Sequence, residues 1–417
     1  MSFINRKQTG LALVLAVGII VYAALALSPG KATQAYIVQG HDLVSLQNAV
    51  EAVGGEVTHK LGIINAVGAR LSDAELRALK QRHEVRRVYA DSAVEITGKP
   101  PKDDSGSNGN NNIDSTYLAK MTGAVSLHQE GITGDGVTIA VVDTGTWNDT
   151  GIVRDPENNI RLLAEYDAVS DSSSVADGYG HGTHVTSIAV SSRLTENGEF
   201  GGIAPYADVV SVRAFDDLGR GTYADVIRAL DWVVANKDTY GIRVLNLSFS
   251  TEPRSYYWDD PMNQAVMAAW QAGIVVVASA GNTGPDAMTI GAPGNVPYVI
   301  TVGSMTDNYT PDNLYDDFLA SFSAAGPTVE GFVKPDLVAP GGHARAIMHT
   351  NTYLAITYPE FHDGAKYFMM SGTSQATAVV SGVAALLLQD EPWLTPDQVK
   401  GRLMRSAHAA SYSDGSL

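Results

Sequence analysis

From about residue 117 the chain alternates short β-branched runs with helical patterns, and no other feature limits its fold so tightly. "VTIAVVD", "VVSVRAF", "VLNLSF", "IVVVASA" and "YVITVGS" are almost continuously apolar, as strands buried on both faces of a parallel sheet are. Between them lie "YADVIRALDWVVAN", with Val226, Leu230 and Val233 on one helical face, and "MNQAVMAAWQAG". Parallel strands need long crossovers, so the alternation predicts an α/β fold with helices on both faces of a mostly parallel sheet. Functional side chains in such sheets gather beyond the carboxyl ends of the strands.

Ahead of this region, residues 34–98 read as a small α+β unit. "YIVQG", "EVTHKLG", "INAVGARL" and "VRRVYAD" look like strands. Leu43, Leu46, Val50 and Val53 recur at helical spacing, and "SDAELRALK" opens with a capping box of Ser72 and Glu75. The order β-α-β-β-α-β is the ferredoxin-like split βαβ pattern. Residues 99–116, "KPPKDDSGSNGNNNIDST", hold almost nothing apolar and read as an exposed, nickable linker.

At the head, Arg6 and Lys7 precede a charge-free run from Leu11 to Leu27, and "ALA" at 24–26 fits a small-residue cleavage site. Residues 1–26 therefore read as a signal peptide, and the protein as secreted to an extracellular or periplasmic place. The run is also close to spanning length, so an uncleaved membrane anchor stays open as the second reading. The chain has no cysteine, which excludes a disulfide framework, thiolate metal sites and a cysteine nucleophile. Its net charge of −17 is uneven: residues 1–116 carry 12 Lys/Arg against 11 Asp/Glu, and the remainder 16 against 34. No basic face for nucleic acid is available in such a balance. The acidic part favours solubility and can also supply calcium ligands; Asp149, Asp155, Asp167, Asp171 and Asp177 crowd one stretch.

Four side chains sit at predicted strand ends or helix starts. Asp143 ends "VTIAVVD", His181 stands between glycines in "GHGTHVTSI", Asn282 ends "VVVASAGN", and Ser374 opens the helix of "FMMSGTSQATAVVSGVAALLL". Each has an ordinary explanation as well. Asp143 can cap a turn, His181 and His184 can suggest zinc, Asn282 suits a loop, and Ser371, Thr373 and Ser374 suit an N-cap. A serine at a helix N-terminus is also well placed as a nucleophile, because backbone N–H groups there face developing negative charge.

Taken in order, "VVDTG", "GHGTHV", "VLNLS", "VVASAGN", "ITVGS", "FSAAGP", "KPDLVAPG" and "SGTSQA" resemble the segments of subtilisin-type serine proteases, from about residue 134 to 407. The resemblance implies a subtilisin-like three-layer catalytic domain over 117–417 and an inhibitory propeptide over 34–98. It implies Ser374 as nucleophile, His181 as base, Asp143 as its orienting partner and Asn282 as oxyanion donor. It places substrate between Ser248, Phe249 and Ser250 on one wall and Ala278, Ser279 and Ala280 on the other, with Gly291 near the floor. Protein or peptide substrates follow, with the leader as inhibitor and chaperone. No catalytic cofactor is implied; structural calcium is allowed.

With no acidic residue in the walls, apolar or aromatic side chains are expected in the first pocket. Ser250 and Thr251 stand where the family usually has glycines, and their Cβ atoms are expected to narrow the cleft. Gln375 replaces the family's usual Met after the nucleophile. The chain stops at "SYSDGSL" without the family's closing segment, which reads as a truncation. Two rivals remain open: a catalytically silent subtilase fold that binds a partner, and a membrane-tethered processing enzyme.

Overall fold

The computed structural model describes residues 32–96, 117–173, 175–306, 310, 313 and 316–410. The expected signal peptide, linker and terminal "SYSDGSL" lie outside the described residues.

The leader is built from β1 (Gln34–Gly40), α1 (Leu43–Ala52), β2 (Glu56–Leu61), β3 (Ala66–Leu71), α2 (Asp73–Leu79) and β4 (Val85–Ala90). The strands form an antiparallel sheet in the order β2-β3-β1-β4. The capping box forms as expected: Ser72 accepts from the Glu75 amide, and the Glu75 carboxylate reaches back to the Ser72 amide. Strand alternation gives the sheet two apolar faces. Val38, Val67, Ala69 and Leu71 make a small core with Leu46, Ala49, Val50 and Leu79 of the leader's own helices. Ile37, Leu61, Ile64 and Ala66 join the large core of the following region. A short strand, β5 (Ala93–Glu95), then leaves the leader.

The larger region contains β6 (Thr138–Asp143), β7 (Leu162–Asp167), α3 (His181–Val190), β8 (Asp208–Arg213) and β9 (Arg220–Thr222). These are followed by α4 (Tyr223–Tyr240), β10 (Ile242–Leu247), α5 (Pro261–Gln271), β11 (Val275–Ser279) and β12 (Ile300–Thr306). The last elements are β13 (Phe318–Leu319), β14 (Leu337–Pro340), the hairpin β15 (Ala344–Ile347) and β16 (Tyr367–Met370), α6 (Thr373–Asp390) and α7 (Pro396–Ser406).

The central sheet runs β13-β12-β11-β10-β6-β8-β7, with β14 also beside β12. Every pairing in it is parallel except that of β13. All residues of β6 and β11 are buried, as the apolar runs require. Helix α4 starts on a capping box of Thr222 and Asp225 and ends at Gly241, whose φ of 63° suits glycine. Val226, Leu230 and Val233 are fully buried, as their spacing predicts. Helix α6 is buried almost all round. Its Ala, Ser, Thr and Gly residues let it run close to α3 and to five strands of the sheet.

The leader docks on α4 and α5. The Gly62 amide donates to Asp231 at 2.7 Å, Gln39 to Gln264 at 2.8 Å, and His59 Nε2 lies 3.1 Å from Asp225. Asp91 accepts from the Ala224 amide in the first turn of α4, at 2.9 Å. Burial, aided by the Asp225 carboxylate, raises the Asp91 pKa.

Candidate active site

Strand β6 ends in Asp143, and its Oδ1 lies 2.8 Å from both His181 Nδ1 and the Thr144 amide. A carboxylate acceptor fixes the proton on Nδ1 and leaves Nε2 as the basic nitrogen. His181 Nε2 is buried and has no hydrogen-bond partner among the described residues. The glycine after His181 is a packing requirement: a Cβ on Gly182 would stand 2.1 Å from the Gly145 carbonyl oxygen.

Asp177 holds this half together. Its carboxylate accepts from Thr144 Oγ1, the Gly180 amide, the Thr183 amide and Thr183 Oγ1, at 2.8, 2.6, 2.8 and 2.5 Å. The turn after Asp143 and the first turn of α3 therefore share one buried anion. Burial raises its pKa, and the four donors oppose that shift. Sequence reasoning placed Asp177 only among candidate calcium ligands. The signal that identifies its real place is its position four residues before His181, where a carboxylate reaches the amides of a starting helix.

Ser374 is the second residue of α6, so its amide has no acceptor within the helix. The N-cap reading of this serine fails. Its hydroxyl donates to the Ser248 carbonyl at 2.8 Å, while Ser248 Oγ donates to the Ser374 carbonyl at 2.9 Å. Helix α6 is capped from outside: Asn282 Oδ1 accepts from the Thr373 amide and Thr373 Oγ1, at 2.9 and 3.0 Å. That leaves Asn282 Nδ2 to serve as a donor. A Cβ on Gly372 would come within 3.4 Å of this nitrogen and 2.8 Å of Gln375 Oε1, so glycine keeps the turn open.

The first turns of α3 and α6 meet through His184 and Gln375, whose Nδ1 and Nε2 are 3.4 Å apart. His184 Nε2 is 3.0 Å from the Phe368 carbonyl, and burial pushes its pKa down to about 3. The ring is therefore neutral, donating from Nε2 and accepting at Nδ1. Both nitrogens are engaged inside the protein, which removes the zinc reading of His181 and His184.

The two expected walls are brought together. Ser279 Oγ donates to the Phe249 carbonyl at 2.7 Å, the Gly291 amide to Ala280 at 2.9 Å, and Thr251 bridges Ala292. Ala278 lies inside β11, paired to Leu247. Ser250 points into the space between the walls: a Cβ on Gly291 would stand 1.9 Å from Ser250 Oγ, and one on Gly281 3.0 Å from it.

The five aspartates do not converge. Asp149 binds Arg193 and Lys366, Asp155 binds Asn159, Asp167 binds Arg213 and Ser170, and Asp171 binds Tyr166. Among the described residues no group of three His, Cys, Asp or Glu side chains is gathered to hold a metal.

A buried Asp–His pair whose histidine opens one helix, and a serine at the start of the helix packed against it, with amide donors in its first turn, suit acyl transfer. Residues 134–416 match the profile of the subtilase family. The chain belongs to that family. Serine protease AprX of Bacillus subtilis is 36% identical over 343 residues, 81% of this chain and 73% of the relative. Subtilisin E of the same organism is 29% identical over 87% of this chain and 80% of its own length. Among solved structures, a cold-adapted subtilisin-like serine proteinase has a TM-score of 0.52 at 31% identity, covering 68% of this chain and 86% of its own. Fervidolysin from Fervidobacterium pennivorans, titled a keratinolytic enzyme related to subtilisin, has a TM-score of 0.67 at 23% identity. It covers 93% of this chain and 61% of its own, and at that identity it speaks to the fold alone. This subtilase is a serine-type peptidase with a subtilisin-like fold.

Proposed function

We propose that this subtilase is a secreted serine endopeptidase made as a precursor that processes itself. Ser374 attacks the peptide carbonyl while His181 Nε2 takes its proton, and His181 returns that proton to the leaving amine. Asp143 holds the ring in the required tautomer and stabilises its charged form. The Ser374 amide and Asn282 Nδ2 stabilise the tetrahedral oxyanion. The observation that carries this reading is the buried Asp143–His181 hydrogen bond, with an unpartnered Nε2 on the helix whose first turn meets that of Ser374.

Residues 34–98 act as propeptide, inhibitor and folding template, and 99–116 as the linker that is nicked; the catalytic domain begins at 117. The parallel sheet rests on non-local contacts that a docked leader helps to assemble. Export rests on the sequence of residues 1–26. No helix among the described residues is long and apolar enough to cross a membrane. A fluorophosphonate tests the site: it should label Ser374 in the processed protein and leave a His181→Ala variant unlabelled. A folded, processed wild-type protein that resists labelling rules the mechanism out.

A further inference from the structure

Five aromatic rings from three separate stretches meet on the surface outside the candidate pocket. Tyr256 and Trp258 stack with ring centroids 4.7 Å apart and planes 8° from parallel. Tyr257, half-buried at the centre, meets Trp258, Tyr298 and Phe332 edge-on at 5.1, 6.4 and 5.8 Å. Main-chain bonds fix the cluster. The Tyr257 amide donates to Glu330 at 2.7 Å, the Trp258 carbonyl accepts from Gln264 at 3.0 Å, and the Thr328 amide donates to the Phe332 carbonyl at 2.9 Å. Tyr256, Trp258 and Tyr298 are nevertheless about half exposed, and Val333, next to Phe332, is 88% exposed. Single exposed apolar side chains are ordinary, whereas a contiguous patch marks a place where something binds.

Each of the three stretches continues a segment of the pocket. Thr251, next to the wall residue Ser250, bridges Ala292, next to Gly291, and the chain runs on from these two to Tyr256 and Tyr298. Ala324 packs with the wall residue Ala280, and its amide donates to the Gly281 carbonyl at 2.9 Å; from there the chain runs on to Phe332. Five or six extended residues span at most about 18 to 22 Å, so Tyr256 and Tyr298 lie within that distance of the pocket. The leader reaches the margin of the patch, where Arg87 pairs with Asp259 and Ser92 accepts from Arg254 at 2.7 Å. The exposed rings stay open with the leader docked, so they do not serve to hold it. On the stretches 252–259 and 328–333, Glu252, Asp259 and Glu330 outnumber Arg254.

We propose that this patch is an exosite for protein substrates, and the inference rests on the peptidase reading above. It holds an apolar, positively charged segment of the substrate several residues away from the scissile bond while that bond lies at Ser374. Position and charge select this occupant. The rings are continuous with the walls, so a chain lying in the pocket passes within reach of them. The carboxylates favour a basic partner, and aromatic faces attract Lys and Arg side chains as well as apolar ones. The leader's Arg87 already makes such a contact with Asp259, and its release leaves that carboxylate to the substrate. Binding of this kind is equal in the ground and transition states, so it lowers KM for a long chain without changing kcat. A peptide too short to reach the rings gains nothing from them.

The test gives the processed enzyme two substrates: lysozyme unfolded by reduction and amidomethylation, a basic chain, and a tetrapeptide anilide. In the double variant Tyr256→Ser/Trp258→Ser, KM for the protein should rise about 5- to 30-fold at unchanged kcat, the scale of truncating a binding hot spot. Its kcat/KM for the tetrapeptide should not change. Both side chains are exposed, so the fold should survive, and circular dichroism checks this. Asp259→Asn, which keeps the rings, should raise KM for the protein less and weaken its dependence on salt. An unchanged KM for the protein in both variants, or an equal loss on the tetrapeptide, overturns the inference. So does a wild-type dimer in light scattering that the double variant lacks, which would give the surface to a second copy of this chain. Tetrapeptide cleavage that disappears in Ser374→Ala would then leave the peptidase reading standing. If neither substrate is cut and Ser374 resists the fluorophosphonate, both readings fall.

Discussion

The two halves of the candidate site differ in how far each is assembled. On one side Asp143 and His181 are already joined, buried, and braced by the four hydrogen bonds to Asp177. On the other side the Ser374 hydroxyl donates its hydrogen bond to the Ser248 carbonyl and not to His181. The proposed base, His181, is therefore held by buried carboxyl groups, whereas the proposed nucleophile, Ser374, is held by one neutral hydrogen bond, of a kind worth about 1 kcal/mol net. In the proposed mechanism Ser374 exchanges that bond for one to His181 Nε2, which has no hydrogen-bond partner among the described residues. Orientation is built into the histidine half, and the remaining adjustment is left to the serine.

Substitutions in each half sharpen that contrast. Ser374→Ala should have the largest effect, a loss on the order of 10⁶ in kcat with the fold retained; that scale belongs to the subtilisin triad and is not deduced from this geometry. Circular dichroism beside a turnover assay checks it, and appreciable turnover would place the nucleophile elsewhere. Asp143→Asn should come next, at about 10⁴-fold, because an amide favours the wrong imidazole tautomer. Its KM should hardly move, and adding it to Ser374→Ala should cost nothing further. A double variant markedly slower than Ser374→Ala would mean that the two halves act separately. Asn282→Ala should cost about 10²–10³-fold, again the value established for subtilisins. Because Asn282 Oδ1 also caps α6, some loss of thermal stability should accompany it, and Asn282→Asp should restore the cap but not the rate. If Asn282→Asp recovers the rate, Asn282 acts only as a cap.

Much of the histidine half was legible in the sequence. Asp143 ends an apolar strand and His181 is flanked by glycines, so strand periodicity and close packing mark both places. The ferredoxin-like leader and its capping box were legible for the same reason. Periodicity reveals that a face is apolar, however, and does not say what covers it. The second face of the leader sheet, with Ile37, Leu61 and Ala66, is covered by the larger region, and only the fold shows this. Side-chain direction was equally hidden. Ser374 resembles a helix cap by type yet turns to Ser248, because Asn282, far away in sequence, already caps the helix. Asp177 looked like one acid in a crowd, and its partners Thr144 and Thr183 become visible only when β6 and α3 come together. Ser250 was recognised as a wall residue that narrows the cleft; that its hydroxyl faces Gly291 depends on a contact 41 residues away in sequence.

Gln375 provides the smallest and most specific probe of the serine half. It is fully buried next to Ser374, the proposed nucleophile, and its amide is oriented by His184. Since His184 donates from Nε2 to the Phe368 carbonyl, its Nδ1 accepts, and Gln375 must present Nε2 to it. Gln375 Oε1 then faces the Gly372 turn, near the Asn282 nitrogen proposed to bind the oxyanion. A methionine here, the family's usual residue, would place a thioether in that space, and its sulfoxide would add a bulky polar oxygen beside the oxyanion site. Gln375 offers no sulfur, so this route to oxidative inactivation is closed. The Met370 sulfur remains, 4.0 Å from Gln375 Nε2 and fully buried, so peroxide should reach it slowly. Processed wild-type enzyme should therefore lose activity to peroxide several-fold more slowly than its Gln375→Met variant, at matched pH and peroxide concentration. Peptide mapping should find the variant's sulfoxide at position 375 before any at Met370. Equal inactivation rates would show that position 375 does not govern sensitivity, and sulfoxide at Met370 in both proteins would identify the buried thioether behind the nucleophile turn as the vulnerable group.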